Sequence, residues 1–282
     1  IIHNSDSMTT LYTHRESNIA KTWLLFTLFF IIVIGIGWLF AQIYNDPFIL
    51  YIAVAFSVIM NILSYWYSDK LVLSMSRAQP VSRGQMPELY NIVENLTITA
   101  GLPLPKIYLI PESQPNAFAT GRNAKHAVVA VTQGLIDRLD RAELEGVLAH
   151  ELSHIGNKDM LVSTITVILV GFISLLSDFF LRMSMFGGGN RDDHGRAGAI
   201  LLVIGIAASI LAPLAATLMQ LAISRKREFL ADASGALLTR YPEALASALE
   251  KIASDPTPMR AAANTTTAHL WVNNPFKGKQ KT

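Results

Sequence analysis

The chain is organised by long apolar runs separated by polar, proline-containing segments. Trp23 to Tyr44 is almost wholly apolar, long enough to cross a hydrocarbon core of about 30 Å as a helix. A second run, Pro47 to Tyr67, follows after only Asn45 and Asp46, so the two predict a tight helical hairpin. A secretory leader fits less well, because the first run exceeds the apolar core of such a leader, has no clear small-residue cleavage site, and is followed at once by another run. Trp23, Trp38, Tyr65, Trp66 and Tyr67 fall near run ends, where amphipathic rings settle at a membrane surface. Arg15 and Lys21 precede the first run and Lys70, Arg77 and Arg83 follow the second, whereas the turn between them has no Lys or Arg. The positive-inside bias therefore predicts both ends of the hairpin on the cytoplasmic side.

Between Arg83 and Arg141 the pattern changes to shorter apolar runs interrupted by polar residues and prolines, as in a folded α+β segment. Pro87 to Ala100 predicts an amphipathic helix through Leu89, Ile92, Val93 and Leu96. Lys106 to Ile110 and Ala127 to Thr132 predict strands of a small sheet, with Asn116, Ala117 and Phe118 in a loop between them. Two more apolar runs follow, Met160 to Leu181 and Ala197 to Ile223, joined by a glycine-rich loop from Gly187 to Gly198. Their length favours membrane spans. The flanking charges do not decide it, since Arg182, Arg191 and Arg196 balance Arg225, Lys226 and Arg227, and a helical hairpin buried in the folded domain is the alternative. The glycine loop lacks the following Gly-Lys-Ser/Thr of a phosphate cradle.

The expected division is a tail (1–21), a transmembrane hairpin (22–67), a first part of a folded domain (68–159), a hydrophobic hairpin (160–223) and a second part of that domain (224–282). Ile1 to Ser7 precede the first methionine, Met8, and are left out of the fold reading.

Composition agrees with a mainly α membrane protein. Of 282 residues 51% are hydrophobic and 16% charged, with mean hydropathy +0.36, too apolar for an ordinary soluble domain. The net charge of +2 is scattered rather than gathered into a basic stripe, which argues against nucleic acid as a partner. With no cysteine, any metal must be held by His, Asp or Glu.

The sharpest chemical feature is His150-Glu151-Leu152-Ser153-His154, an HExxH motif. Asp140 and Glu143 form a capping-box pattern ahead of it, and Leu144, Val147, Leu148 and Ile155 supply an apolar stripe, so the motif is expected on a helix. Histidines four residues apart share a helix face and can reach one metal ion, with zinc favoured by imidazole ligands. Glu151 beside them can take a proton from water, which fits metal-assisted hydrolysis of a peptide bond.

Taken together, the motifs resemble the HtpX-type membrane zinc metalloproteases of bacteria and archaea, a branch related to the CaaX prenyl proteases. The likeness rests on the first pair of spans, Asn116 to Gly121, Val129 to Thr132 with Gly134-Leu135, His150 to Ile155 with Asn157 and Asp159, the second hydrophobic pair, and Ser224 to Asp232. It implies transmembrane helices joined to a zincin-like α+β protease domain and one Zn²⁺ per chain. It further implies a multi-pass protein of the inner cell membrane whose cytoplasmic catalytic domain cleaves membrane or unfolded proteins in the stress response. Glu228 would be the third zinc ligand and Asp232 a supporting residue, and the segment Asn116, Ala117 and Phe118 would lie beside the substrate cleft. Similar proteins continue past the stretch resembling Ala268 to Pro275 with a His-Pro motif and a further helix, so a C-terminally truncated form is expected. A prenyl-protein processing protease and a non-catalytic membrane scaffold are the competing functions.

Elimination supports the same third ligand. Glu143 and Glu145 precede His150 on its own helix, and Asp159 would point to another face if that helix continued. His194 lies beyond an apolar run, whereas Glu228 follows a second one and precedes Asp232 by four residues. His126 is expected to open a strand without binding metal, Asp178 and Arg182 to form a local ion pair, and His269 carries no assigned role.

Overall fold

The computed structural model describes residues 11–157, 159–186 and 225–257. The apolar hairpin is formed by α1 (Leu11–Tyr44) and α2 (Phe48–Trp66). Asn45 turns the chain with a positive φ of 53°, and Asp46 Oδ1 accepts from the Phe48 amide at the start of α2 (2.9 Å). Ile19–Gln42 and Phe48–Trp66 are each long and apolar enough to cross a membrane. Residues 11–21 of the expected tail belong to helix α1.

Helix α3 (Ser68–Met75) leads into the folded domain, whose four-stranded sheet has the order β1 (Gln79–Pro80), β2 (Lys106–Ile110), β4 (Val128–Thr132), β3 (Ala117–Thr120). β2 and β4 run parallel, with Ile107 opposite Val129, and β3 closes the far edge antiparallel to β4, with Phe118 opposite Ala130. The two strands read from the sequence are present, but Ala117 and Phe118, expected in a loop, belong to a strand of their own. Asn116 docks it: its amide donates to Thr132 Oγ1 (2.9 Å) and its carbonyl accepts from the Thr132 amide (2.9 Å), which sets the register of β3 against β4.

One sheet face packs on α4 (Pro87–Ala100) and α6 (Arg141–Gly156) through Ile107, Ala117, Val129 and Val131 against Val93, Leu148 and Leu152. The other meets α3 and α7 (Met160–Phe186) through Ile110, Phe118 and Ala130 against Val72 and Val167. Helix α5 (Gln133–Arg138) connects β4 to α6. The first half of α7 also packs on the membrane hairpin, where Val162, Ile165 and Leu169 meet Leu25, Phe29 and Val33. This third apolar run is therefore enclosed by protein along its first half. The fourth run, the glycine loop with His194, and His269 lie outside the described residues.

The last two described helices, α8 (Arg225–Thr239) and α9 (Pro242–Ser254), lie against α6. Glu143 fastens α9: its carboxylate accepts from Ser247 Oγ (2.6 Å) and Lys251 Nζ (2.7 Å) while completing the capping box with the Asp140 amide (3.0 Å). Burial alone would raise the pKa of this carboxyl, but these donors outweigh it and hold it below the ordinary range.

Candidate active site

Helix α6 brings His150 and His154 onto one face, their Nε2 atoms 3.2 Å apart. Glu228, in the first turn of α8, places Oε2 3.6 Å from the first and 3.8 Å from the second. Four ligands about 2.05 Å from a tetrahedral zinc stand about 3.3 Å from one another, and the three atoms here are close enough together to share one metal ion.

The orientation of the rings decides what can sit between them. Asp159 puts both carboxylate oxygens 3.2 Å from His154 Nδ1, and Asp232 puts Oδ1 2.8 Å from His150 Nδ1, off the axis of the ring N–H. A carboxylate behind Nδ1 holds the proton there and turns the Nε2 lone pair the other way. Two imidazole lone pairs and a carboxylate oxygen then converge with no donor among them, an arrangement that only a cation satisfies. The electrostatics favour positive charge at the same point, supplied by a proton or by a metal ion. Burial alone would keep both rings neutral, but Asp232, Glu228 and Glu151 overcome it at His150 and push its pKa up to about 10; at His154 Asp159 leads a rise in the same direction. At Glu228 the neighbouring histidines and Arg227 outweigh burial and depress the pKa.

Glu151 is buried beside the pair. Burial raises its pKa, and the two histidines counter that rise. The backbone of Ala119 in β3 also favours its charged form. Because Asn116 and Phe118 pair with β4, the peptide groups of Ala117 and Ala119 face outward from the free edge of β3, toward the site. The side chains of Asn116, Ala117 and Phe118 are themselves buried, so what this segment offers a cleft is backbone.

Helix α8 reaches α6 closely enough because its inner stripe is small. Ala231 and Gly235 are buried against α6, and a Cβ at Gly235 would stand 3.0 Å from the backbone nitrogen of His150 and 3.1 Å from its Cα. Glu228 and Asp232 lie beside this stripe, one turn apart.

Residues 84–274 match peptidase family M48, a stretch that contains β3, α6 and α8 together. The chain belongs to peptidase family M48. This M48 member is 45% identical to a protease HtpX homolog from Caldanaerobacter subterraneus subsp. tengcongensis, over 95% of the chain and 90% of that relative. It is 50% identical to one from Thermococcus kodakarensis, over 88% and 83% respectively. Among solved structures, S. mikatae Ste24p matches with a TM-score of 0.47 at 21% identity, covering 86% of this chain and 59% of that one. With α1 and α2, M48 membership makes the chain a membrane metalloprotease.

Two features of this M48 site differ from the sequence expectation. Asp159 does not point to another face: α6 ends at Gly156, Asn157 closes the turn, and the Asp159 amide returns to the His154 carbonyl (3.3 Å) while its side chain meets the His154 ring. The Gly156-Asn157 pair was the available signal for that helix end. Arg227 was read only as one of three basic residues after an apolar run. It is buried beside Asp159 and Glu228, whose charges oppose the lowering of its pKa by burial. His126 sits in a 3-10 turn ahead of β4 rather than in the strand.

Proposed function

We propose that the chain is a zinc endopeptidase in which His150, His154 and Glu228 hold the metal and Glu151 is the general base. The convergence of three donor-free ligand atoms, close enough together to share one metal ion, supports this reading. Zinc, when bound, supplies Lewis acidity that makes water acidic near pH 7 and polarises a carbonyl. Glu151 accepts the proton of the attacking water on its carboxylate and passes it to the departing amine nitrogen. Asp159 and Asp232 keep the imidazole protons on Nδ1 so that Nε2 remains a ligand. An extended substrate segment lies along β3, its amides meeting the outward carbonyls of Ala117 and Ala119, as in strand addition to an open sheet edge.

The substrates are membrane or misfolded proteins, in line with relatives named HtpX homologs, and the work is quality control under stress. The catalytic domain faces the cytoplasm, with the Asn45–Asp46 turn outside. Cysteine at Asn45 is therefore expected to react with an impermeant thiol reagent on intact cells, and protection there with labelling near Arg83 reverses the topology. Glu151→Gln tests the chemistry: peptide hydrolysis is expected to fall by about 10²- to 10⁴-fold with zinc content unchanged. Substantial hydrolysis by this variant would remove Glu151 from the mechanism.

A further inference from the structure

Helices α1 and α2 form an antiparallel hairpin, so Trp23 near the start of one and Trp66 and Tyr67 at the end of the other lie at the same end. All three side chains are exposed. Roughly 30 Å of apolar helix, at 1.5 Å per residue, separates them from the Asn45–Asp46 turn, so these rings mark one membrane surface. One stacking contact and one electrostatic coupling tie the catalytic domain to this level. The Arg122 guanidinium lies over the Trp66 ring, 4.4 Å from its centroid. Lys21, two residues before Trp23, lies within electrostatic reach of Asp159 and Arg227 of the catalytic domain.

The loop that carries Arg122 is built to hold it. Gly121 turns the chain with φ +138°, where a Cβ would stand 2.4 Å from the His126 carbonyl oxygen. Asn123 Oδ1 accepts from the His126 amide (3.1 Å) and from its ring Nδ1 (2.8 Å). With the proton on Nδ1, Nε2 accepts from Arg122 Nη2 at 2.9 Å. The guanidinium is thus stacked and tethered at once, with one of its five N–H donors engaged by His126. Beside it, Lys70 Nζ lies 5.3 Å from the Tyr67 ring centroid, and Lys70 and Lys125 are exposed. Across Trp66 to Leu73 and Gly121 to Ala127 the one acid, Asp69, faces three bases, Lys70, Arg122 and Lys125.

We propose that Arg122, with Lys70 and Lys125, binds the phosphate of anionic phospholipid headgroups at the Trp66–Tyr67 collar, next to the free edge of β3. A headgroup held there bridges the end of α2 and the loop two residues beyond β3. It keeps the open edge at headgroup level, where an extended segment entering or leaving the bilayer can reach it. The inference rests on the membrane placement of α1 and α2 and not on hydrolysis, so its failure is distinguishable from failure of the protease reading.

The test uses the full chain reconstituted in phosphatidylcholine vesicles containing trace spin-labelled phosphatidylglycerol or spin-labelled phosphatidylcholine, with the motionally restricted fraction read by electron spin resonance. The wild type is expected to prefer the anionic label several-fold, since each cation near the surface contributes about a five-fold preference at most. Arg122→Gln with Lys70→Gln and Lys125→Gln brings that preference close to one, as does 0.5 M salt in part (an order-of-magnitude choice that shortens the screening length to roughly 4 Å). Trp66→Leu, which keeps every charge but removes the stacking platform, gives an intermediate loss. Zinc content equal to wild type shows that each variant is folded. Equal restriction of the two labels by the wild type, or a preference that survives the triple substitution, overturns the proposal.

Discussion

His150 and His154 stand one helical turn apart, yet the carboxylates behind them come from different parts of the chain. Asp159 follows His154 by five residues, is 3% exposed at its side chain, and is placed by the turn that ends α6. Asp232 comes from α8, is 43% exposed at its side chain, and meets His150 only because Ala231 and Gly235 let that helix lie on α6. One wall of the site is local geometry, and the other is tertiary packing. The local wall forms whenever α6 and α7 meet at their corner, whereas the α8 wall depends on a helix–helix approach so close that a Cβ at Gly235 would stand 3.0 Å from the His150 backbone nitrogen.

Removing a ligand from either wall should have the largest effect. His154→Ala and Glu228→Ala are both expected to lose zinc on dialysis and to leave hydrolysis at background, because each takes one of the three proposed protein ligands. Metal analysis decides it, and full zinc in Glu228→Ala would leave the α8 wall without a metal role.

Next come the orienting carboxylates. Asp159→Asn and Asp232→Asn are each expected to weaken zinc affinity by roughly 10- to 100-fold. The Asp159 change should be the greater, because that carboxylate is buried, meets the ring with both oxygens and also faces Arg227. Competition with a chromophoric chelator measures both, and the opposite order would reverse the ranking of the walls.

The smallest effect should come from packing alone. Gly235→Ala sets a methyl group against the α6 backbone and costs about 1–3 kcal/mol if the helices part. Its zinc affinity is expected to fall roughly ten-fold, as about 1.4 kcal/mol implies. Gly146→Ala is the control: a Cβ there would stand 3.0 Å from the backbone nitrogen of Leu245, on the α9 side of α6. It should lower the melting temperature without moving zinc affinity. Equal zinc affinities for Gly235→Ala and the wild type would show that the α8 wall tolerates movement.

The same local and tertiary division explains what could be read from the amino acids. The Asp140–Glu143 box, the α4 stripe and the strands at Lys106–Ile110 and Val128–Thr132 are governed by short-range rules, and each lies where the residues predict it. Strand β3 was missed because Ala-Phe-Ala-Thr is short and shows no alternation; Thr132, far along the chain, makes it a strand. The placement of Asp159 was tied to whether the helix continued past Gly156, and α6 ends there. Gly235 gave no local signal, since a glycine within a helix reveals its purpose only when the neighbouring backbone is in place.

The order of the two walls along the chain also bears on how the protein is made. His150, Glu151, His154 and Asp159 leave the ribosome together, while Glu228 and Asp232 emerge only after the intervening residues 160–227. A nascent chain that has formed α6 holds two imidazoles and a base but not the carboxylate that completes the site. Hydrolytic capacity then arrives with α8, after the membrane hairpin has been synthesised. On the proposed ligand set, a chain assembled in this order stays inactive until α8 has packed on α6.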